Sequence, residues 1–153
     1  MLRRFQDIIS TPANTMYRAE TDMKTGMGVV IDPVTMIASL PAAEMGAGFF
    51  VVDKERIATG INAGSNDLSD YYYEFVTIKA GEMVKLYAFV NQLSVFGTDQ
   101  YDEATVFVEG GRVAVDANGL WVPAAVPSRY VFDKKYDDAG HELLQISVSD
   151  HIA

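Results

Sequence analysis

Apolar and polar positions alternate in short runs along most of this chain, and turn residues separate the runs. From Gly26 onward the runs are rich in valine, isoleucine and aromatic residues, with turns about every 8–12 residues, as in β-sandwiches and barrels. Phe49–Val52 is apolar throughout, so we expect a strand covered on both faces. The pattern predicts an all-β fold, a small antiparallel β-barrel or sandwich. The predicted strands are Gly28–Asp32, Thr35–Leu40, Phe49–Val52, Phe75–Ile78, Met83–Val90, Thr105–Val108, Arg112–Val115, Leu120–Val122, Arg129–Phe132 and Glu142–Val148.

The first 25 residues follow a different pattern, with little strict alternation. Their first apolar residues have helix-like spacing, which allows a short helix, and Pro12 prevents a long one. The remainder of this segment reads as extended chain. We therefore divide the sequence into an N-terminal arm, residues 1–25, and a β-barrel domain, residues 26–153. The apolar residues with helical spacing are Leu2, Phe5, Ile8 and Ile9.

The segment Val108–Val122 contains the only tryptophan of the chain. Its centre, Asp116-Ala-Asn-Gly119, suits a type I turn followed by a left-handed glycine, the turn of a bulged hairpin. A calcium loop of the EF-hand kind would need a glutamate at its twelfth position, which is Pro127 when counted from Asp116. We therefore predict a hairpin with no metal, in which Trp121 anchors the packing.

Charge and composition exclude several partners. The chain of 153 residues is long enough for one domain with a core of its own. Its net charge of −9 disfavours binding to phosphate backbones and to anionic membranes. It has no cysteine, which excludes disulfides and thiol catalysis. Gln6 and Asp7 interrupt the apolar start before it could form a signal peptide, so we expect a protein that is neither secreted nor membrane-spanning.

Candidate catalytic groups are few, and turn chemistry accounts for them. His141 follows a turn-like stretch that contains Asp137, Asp138 and Gly140, and His151 lies close to the end of the sequence. No motif around either histidine indicates a nucleophile. We predict no enzymatic activity, no catalytic residue, no cofactor and no metal. The remaining carboxylate clusters are interpreted as solvated loops, namely Asp99, Asp102 and Glu103, and Asp67, Asp70 and Glu74.

Three consecutive tyrosines, Tyr71, Tyr72 and Tyr73, are the feature that ordinary core packing explains least. In an extended conformation, Tyr71 and Tyr73 would share one face with Phe75, while Tyr72 would point to the other. Such a face suits a core, and it also suits an interface, because tyrosine combines an apolar ring with a hydroxyl group. Both interpretations remain open.

Four stretches of the sequence resemble the small β-barrel capsid decoration, or cement, proteins of tailed bacteriophages. The shared features are a Lys79-Ala-Gly-Glu82 turn before a valine-rich strand, and a Gly110-Gly-Arg-Val-Ala-Val115 hairpin closed by a glycine turn. The resemblance covers roughly Gly26 to Val148. The four stretches are Gly26–Asp32, Phe50–Ile57, Thr77–Leu86 and Gly111–Trp121.

The resemblance implies a structural virion protein, made in the host cytoplasm, that binds the outer surface of the major capsid protein shell and stabilises it. It also implies that the arm docks on the shell, and it allows self-association, including a trimer. The alternative is a tail, baseplate or fibre module that recognises a carbohydrate through the tyrosine run. The residues expected to bind the partner are Arg3, Arg4, Phe5, Tyr17, Arg18, Tyr71, Tyr72 and Tyr73.

Overall fold

The computed structural model describes residues 1–6, 14–54, 71, 73–89 and 94–153, without the side chains of Gln6, Asn14 and Glu74. These residues form thirteen strands and one helix of a single turn, α1 (Tyr73–Val76). The prediction of an all-β fold is confirmed. The strands are β1 (Leu2–Gln6), β2 (Asn14–Ala19), β3 (Met23–Lys24), β4 (Gly28–Asp32), β5 (Ile37–Ser39), β6 (Phe50–Asp53), β7 (Thr77–Ile78), β8 (Met83–Tyr87), β9 (Val95–Thr98), β10 (Arg112–Val115), β11 (Trp121–Pro123), β12 (Tyr130–Asp138) and β13 (His141–Val148).

The strands form a closed barrel, an open sheet and a small ribbon. The barrel has the order β2-β5-β4-β6-β8, and its pairings are antiparallel except for the parallel pair β2 and β5. The open sheet has six antiparallel strands in the order β1-β9-β13-β12-β10-β11. Strands β3 and β7 form the ribbon. The helix is far too short to cross a membrane, and no other helix occurs in the described part of the chain.

Strand β6 lies between two hydrophobic cores. Because successive side chains of a strand point to opposite faces, Val51 packs into the sheet core while Val52 packs into the barrel core. Both valines are fully buried. The prediction that Phe49–Val52 is covered on both sides is therefore confirmed, apart from Phe50, which is only partly buried.

Trp121 lies at the centre of the sheet core. Its indole is fully buried and donates a hydrogen bond of 2.9 Å to the carbonyl oxygen of Gly26. The rings of Phe49, Phe96 and Tyr130 surround it at centroid distances of 5.6, 5.5 and 5.1 Å, respectively. Its predicted role as a packing anchor is confirmed.

The predicted turn at Asp116–Gly119 is also confirmed. Gly119 N–H donates to the carbonyl oxygen of Asp116, and Asp116 N–H donates to that of Leu120, which closes a bulged hairpin between β10 and β11. The Asp116 carboxylate accepts hydrogen bonds from the N–H groups of Asn118 and Leu120. Gly119 has φ 76°, the left-handed conformation that the sequence predicts for it.

The described part of the predicted N-terminal arm is integrated in the fold, which corrects the division at residue 25. Strand β1 pairs with β9 in the open sheet, and β2 closes the barrel against β5 and β8. Met1 and Leu2 are buried, so the first residues pack against the fold and do not form a flexible docking segment. The short helix that the apolar spacing allowed is wrong over Leu2–Gln6, since pairing with β9 satisfies the backbone there.

Two other predictions differ from the structure, and one strand was not predicted. Thr105–Val108 is irregular, with Val106 and Val108 exposed, because its backbone pairs with no described strand. Tyr73–Val76 is a helical turn, so Tyr73 and Phe75 do not share the face of a strand. Strand β9 lies between β1 and β13 although the sequence did not predict it. Residues 60–70, which precede the three tyrosines, lie outside the described residues.

Candidate functional site

The outer edge of the open sheet is formed by β1, which carries three of the residues predicted to bind a partner. Arg4 and Phe5 are exposed there, and Arg3 is half-buried. The Arg4 guanidinium lies 4.6 Å from the centroid of the Tyr87 ring, and the Phe5 ring packs edge-on against Tyr136. The side chains of this edge are thus held in place while they remain accessible.

The two sheet edges differ in how they are protected. On the far side of the sheet, β11 has three residues and ends at Pro123, which cannot donate a backbone hydrogen bond. In contrast, β1 has five residues without proline, and no other described strand pairs with its outer side. Short strands and prolines block pairing at an edge, so β1 is the edge suited to accept a further strand.

Asp138 brings together two parts of the sequence that were predicted to act separately. Its carboxylate accepts a hydrogen bond of 2.7 Å from Arg3 Nε and another of 2.7 Å from the Tyr71 hydroxyl. The Tyr71 ring stacks on the imidazole of His141 at a centroid distance of 3.7 Å. Arg3, Tyr71, Asp138 and His141 therefore form one cluster, called the Asp138 cluster below, which fastens β1 to the β12–β13 hairpin.

The hairpin turn explains why Asp138 and His141 are adjacent. They form the last opposed pair of β12 and β13, and Ala139 and Gly140 between them have φ values of 55° and 89°. Two successive left-handed residues are the mark of a type I′ turn, the tightest connection of two antiparallel strands. The predicted turn before His141 is therefore confirmed, and this turn also positions Asp138 and His141 in the Asp138 cluster.

The cluster shifts the pKa values of its acidic groups. Hydrogen bonds from Tyr71 and from Arg3 hold the pKa of the Asp138 carboxyl below its ordinary value. Burial raises the pKa of the Tyr71 hydroxyl, and its hydrogen bond to the Asp138 carboxylate raises it further. Near neutral pH the cluster therefore contains an ionised carboxylate and a protonated tyrosine.

This predicts a pH dependence of stability. Because the folded-state pKa of Asp138 is lowered, its contribution is complete above the unfolded-state pKa of about 3.9 and is lost as the pH falls below it. Replacing Asp138→Asn should lower the free energy of unfolding by about 1 kcal/mol at pH 6, a value discounted for solvent screening. Urea unfolding at a series of pH values should show the difference between wild type and variant shrinking progressively as the pH falls below about 3.9. Glu109→Gln, which removes an exposed carboxylate, should have little effect at pH 6, and a constant difference between wild type and Asp138→Asn at every pH would contradict the prediction.

Two predicted partner-binding residues of β2 face opposite sides of the barrel wall. Tyr17 is buried in the barrel core, so it supports the barrel and offers no surface to a partner, which corrects its assignment. Arg18 points outward and donates a hydrogen bond of 2.9 Å to the carbonyl oxygen of Gly81. The exposed Met83 is its directly paired neighbour on β8.

The tyrosine run is divided between different environments. Tyr71 belongs to the Asp138 cluster, while Tyr73 is 55% exposed on α1 and lines a cavity beside the β3–β7 ribbon. Tyr72 lies outside the described residues. The structure thus does not bring the predicted binding residues into one patch. It places Arg3, Arg4 and Phe5 on an edge, Arg18 on the barrel and Tyr73 at a cavity.

The other candidate carboxylates mostly have structural partners. Asp99 accepts a hydrogen bond from the amino group of Met1, and Asp102 accepts one of 2.9 Å from Ala104 N–H. Among the residues that the structure describes, no group of three or more histidine and acidic side chains could hold a metal ion. Asp67 and Asp70, together with the side chain of Glu74, lie outside the described residues.

Sequence reasoning missed the meeting of Arg3 and Tyr71 on Asp138, and it missed the cavity beside Tyr73. The signal for the first was weak. A two-residue turn indicates that Asp138 and His141 oppose each other, but no local pattern indicates that Arg3 and Tyr71 contact them. The cavity is formed by segments far apart in the sequence, so no local pattern could indicate it. Comparison with known proteins adds no assignment: no family model matches the chain, and no curated protein or solved structure matches it significantly.

Proposed function

We propose that this protein is a non-enzymatic structural protein of a tailed-bacteriophage virion, which binds the outer surface of the major capsid shell and stabilises it. The observation that carries the proposal is the edge strand β1, which is unpaired on its outer side among the described strands and displays Arg4 and Phe5. The resemblance of the central runs to capsid decoration proteins supplies the kind of partner. The all-β fold is compatible with that resemblance.

Strand β1 provides two kinds of contact with a shell. As the last described strand of its sheet, β1 can take a capsid strand at its edge, and its side chains then set the specificity. Arg3 and Arg4 place positive charge on a body whose net charge is −9, so an acidic surface on the shell is the complementary partner. Arg4 is the more exposed of the two, so its charge is the more accessible to an outside contact.

Stabilisation follows from binding to the assembled lattice. A protein that binds the closed shell but not its dissociated subunits shifts the equilibrium towards the shell by mass action. Many copies, each with a modest interface, would add up over the lattice. Such a role requires geometric fit and needs no chemical step.

Capsids that lack the protein provide the direct test. Purified protein should cosediment with them and raise their disruption temperature. Arg4→Glu should weaken binding by about tenfold or more, the effect of turning one attractive charge contact into a repulsive one. Lys134→Glu makes the same charge change at an exposed position of β12, three strands away from β1, and should bind like wild type.

Three results would contradict the proposal. The capsids could stay unbound and equally fragile, Arg4→Glu could bind as tightly as Lys134→Glu, or the protein could copurify with tails and not with heads. The last result would favour the alternative of a tail, baseplate or fibre module.

A further inference from the structure

A cavity of about 420 Å³ opens between the β3–β7 ribbon, α1 and the Asp116–Gly119 turn. This volume lies in the range of small-molecule binding sites. Its walls come from segments that the fold holds rigidly. Lys24 and Thr77 are directly paired across the ribbon, and Gly28 N–H donates a hydrogen bond of 3.0 Å to the carbonyl oxygen of Gly119, which fixes the turn against the barrel.

The floor of the cavity is apolar. It is formed by Met23 and Met27 next to the ribbon and by Leu120 after the hairpin turn. Met23 is almost fully buried and Met27 is buried, so both thioethers belong to the barrel core. Such a floor attracts the apolar face of a ligand without choosing its orientation.

Polar atoms with unused hydrogen-bonding capacity stand among these apolar groups. The Thr77 hydroxyl is buried and has no hydrogen-bond partner among the described residues. The Gln100 amide donates to Asp99, and the Asn118 amide donates to Asp116, but neither amide oxygen accepts a hydrogen bond from a described residue. A buried polar group without a partner is costly, so uncovering the Thr77 hydroxyl, which the cavity wall now buries, to a ligand in this cavity would be favourable.

An aromatic ring stands beside the cavity. Tyr73 lines it while its side chain remains 55% exposed. An exposed ring next to buried polar groups offers an apolar face to one side of a ligand and leaves its hydroxyl in water. The cavity thus combines an aromatic face, a methionine floor and several hydrogen-bond acceptors within reach of one small molecule.

We propose that this cavity binds a neutral saccharide unit. A sugar ring has an apolar C–H face, which matches Tyr73 and the methionines, and a rim of hydroxyl groups, which match Thr77, Gln100 and Asn118. The lining has one carboxylate, Asp22, and one ammonium group, Lys24, which leaves it without net charge, and the net charge of −9 on the whole chain disfavours an acidic sugar or a phosphate. An apolar peptide side chain would fill the floor but leave the Thr77 hydroxyl without a partner.

This site is separate from the edge strand proposed to bind the capsid. Its lining residues include none from β1, so saccharide binding and capsid binding can be tested independently. On a virion each copy would bind glycans with low affinity, and the presence of many copies would raise the overall avidity. The inference does not depend on whether the protein sits on heads or on tails.

The test uses the intact protein and a panel of neutral mono- and oligosaccharides with glucose, galactose or mannose termini. Titration followed by amide NMR should give saturable shifts at Tyr73, Leu120 and the neighbouring ribbon. Tyr73→Ala should weaken the affinity by about tenfold, the upper effect of one aromatic face. Phe5→Ala removes a comparably exposed ring from β1 and should leave the saccharide affinity unchanged, while it weakens capsid binding.

Thr77→Val separates a binding role from a structural one. Valine fills the same space without the hydroxyl, so it should raise the midpoint of thermal unfolding slightly and weaken saccharide binding by about threefold to tenfold. The inference is overturned if no neutral saccharide shifts these signals at millimolar concentration, or if Tyr73→Ala and Thr77→Val bind as wild type does. Binding of apolar peptides in place of sugars would equally overturn it.

Discussion

Replacing Trp121→Ala is expected to lower the free energy of unfolding by about 3–5 kcal/mol, a large part of the 5–15 kcal/mol that stabilises a typical domain. The indole is fully buried, and it contacts the rings of Phe49, Phe96 and Tyr130, so its removal leaves a cavity that these rings cannot refill. The lost hydrogen bond matters less, because the Gly26 carbonyl oxygen still accepts one of 3.2 Å from the Thr98 hydroxyl. Urea unfolding monitored by circular dichroism would measure the difference.

Two controls separate the cavity from other effects. Trp121→Phe keeps a ring in place and should cost less than half as much. Tyr73→Ala removes an exposed aromatic ring and should change the free energy of unfolding by less than about 1 kcal/mol. A loss of less than about 1 kcal/mol for Trp121→Ala would show that the sheet core is not organised around this residue.

Local chemistry was sufficient to predict the hairpins and the doubly covered strand. The Asp116–Gly119 turn follows from an aspartate whose carboxylate accepts a hydrogen bond from the backbone N–H two residues later, and from a glycine in the left-handed region. In Phe49–Val52, an unbroken apolar run indicated burial on both faces, and Val51 and Val52 indeed lie in different cores. Information of this kind sits within a few consecutive residues.

Partner strands that are distant in sequence could not be predicted in this way. Residues 1–25 lack alternation, so they resembled an arm, yet β1 pairs with β9 about ninety positions later, as Leu2 with Thr98. Strand β9 itself was hidden by Gly97, which weakens any strand pattern. In the structure a Cβ at this position would overlap the Tyr136 hydroxyl, so the glycine makes room for a neighbour on β12 that the local sequence does not reveal.

The candidate site shows the same limit. Arg3, Tyr71 and Asp138 were each noticed in the sequence, but only the fold shows that the first two share the carboxylate of the third. The Asp116–Gly119 hairpin, for which the sequence analysis excluded a calcium loop, lies at the proposed saccharide cavity, where Asn118 and Leu120 contribute to the lining. Residue types indicated the chemistry that was available, and strand pairing decided which groups meet.

Gly46→Ala is expected to lower the free energy of unfolding by about 3 kcal/mol, at the upper end of the usual cost of overpacking. A Cβ at position 46 would overlap the carbonyl oxygen of Pro127 and lie 2.5 Å from the Cα of Ser128. Because both are backbone atoms, no side chain can rotate away. The Gly46 carbonyl oxygen also accepts hydrogen bonds from the Ser128 hydroxyl and from Arg129 N–H, each at 3.1 Å, so a shift of the segment would break them.

Gly81→Ala is the matched comparison, because the two glycines are needed for different reasons. Gly81 has φ 84° and open space around the position of a Cβ, so alanine there meets only backbone strain of about 1–2 kcal/mol. Thermal unfolding should rank wild type above Gly81→Ala and Gly81→Ala above Gly46→Ala, with a fall of roughly 6–12 °C for the last. If Gly46→Ala were as stable as Gly81→Ala, the 127–129 segment would not pack against Gly46 as closely as the structure places it.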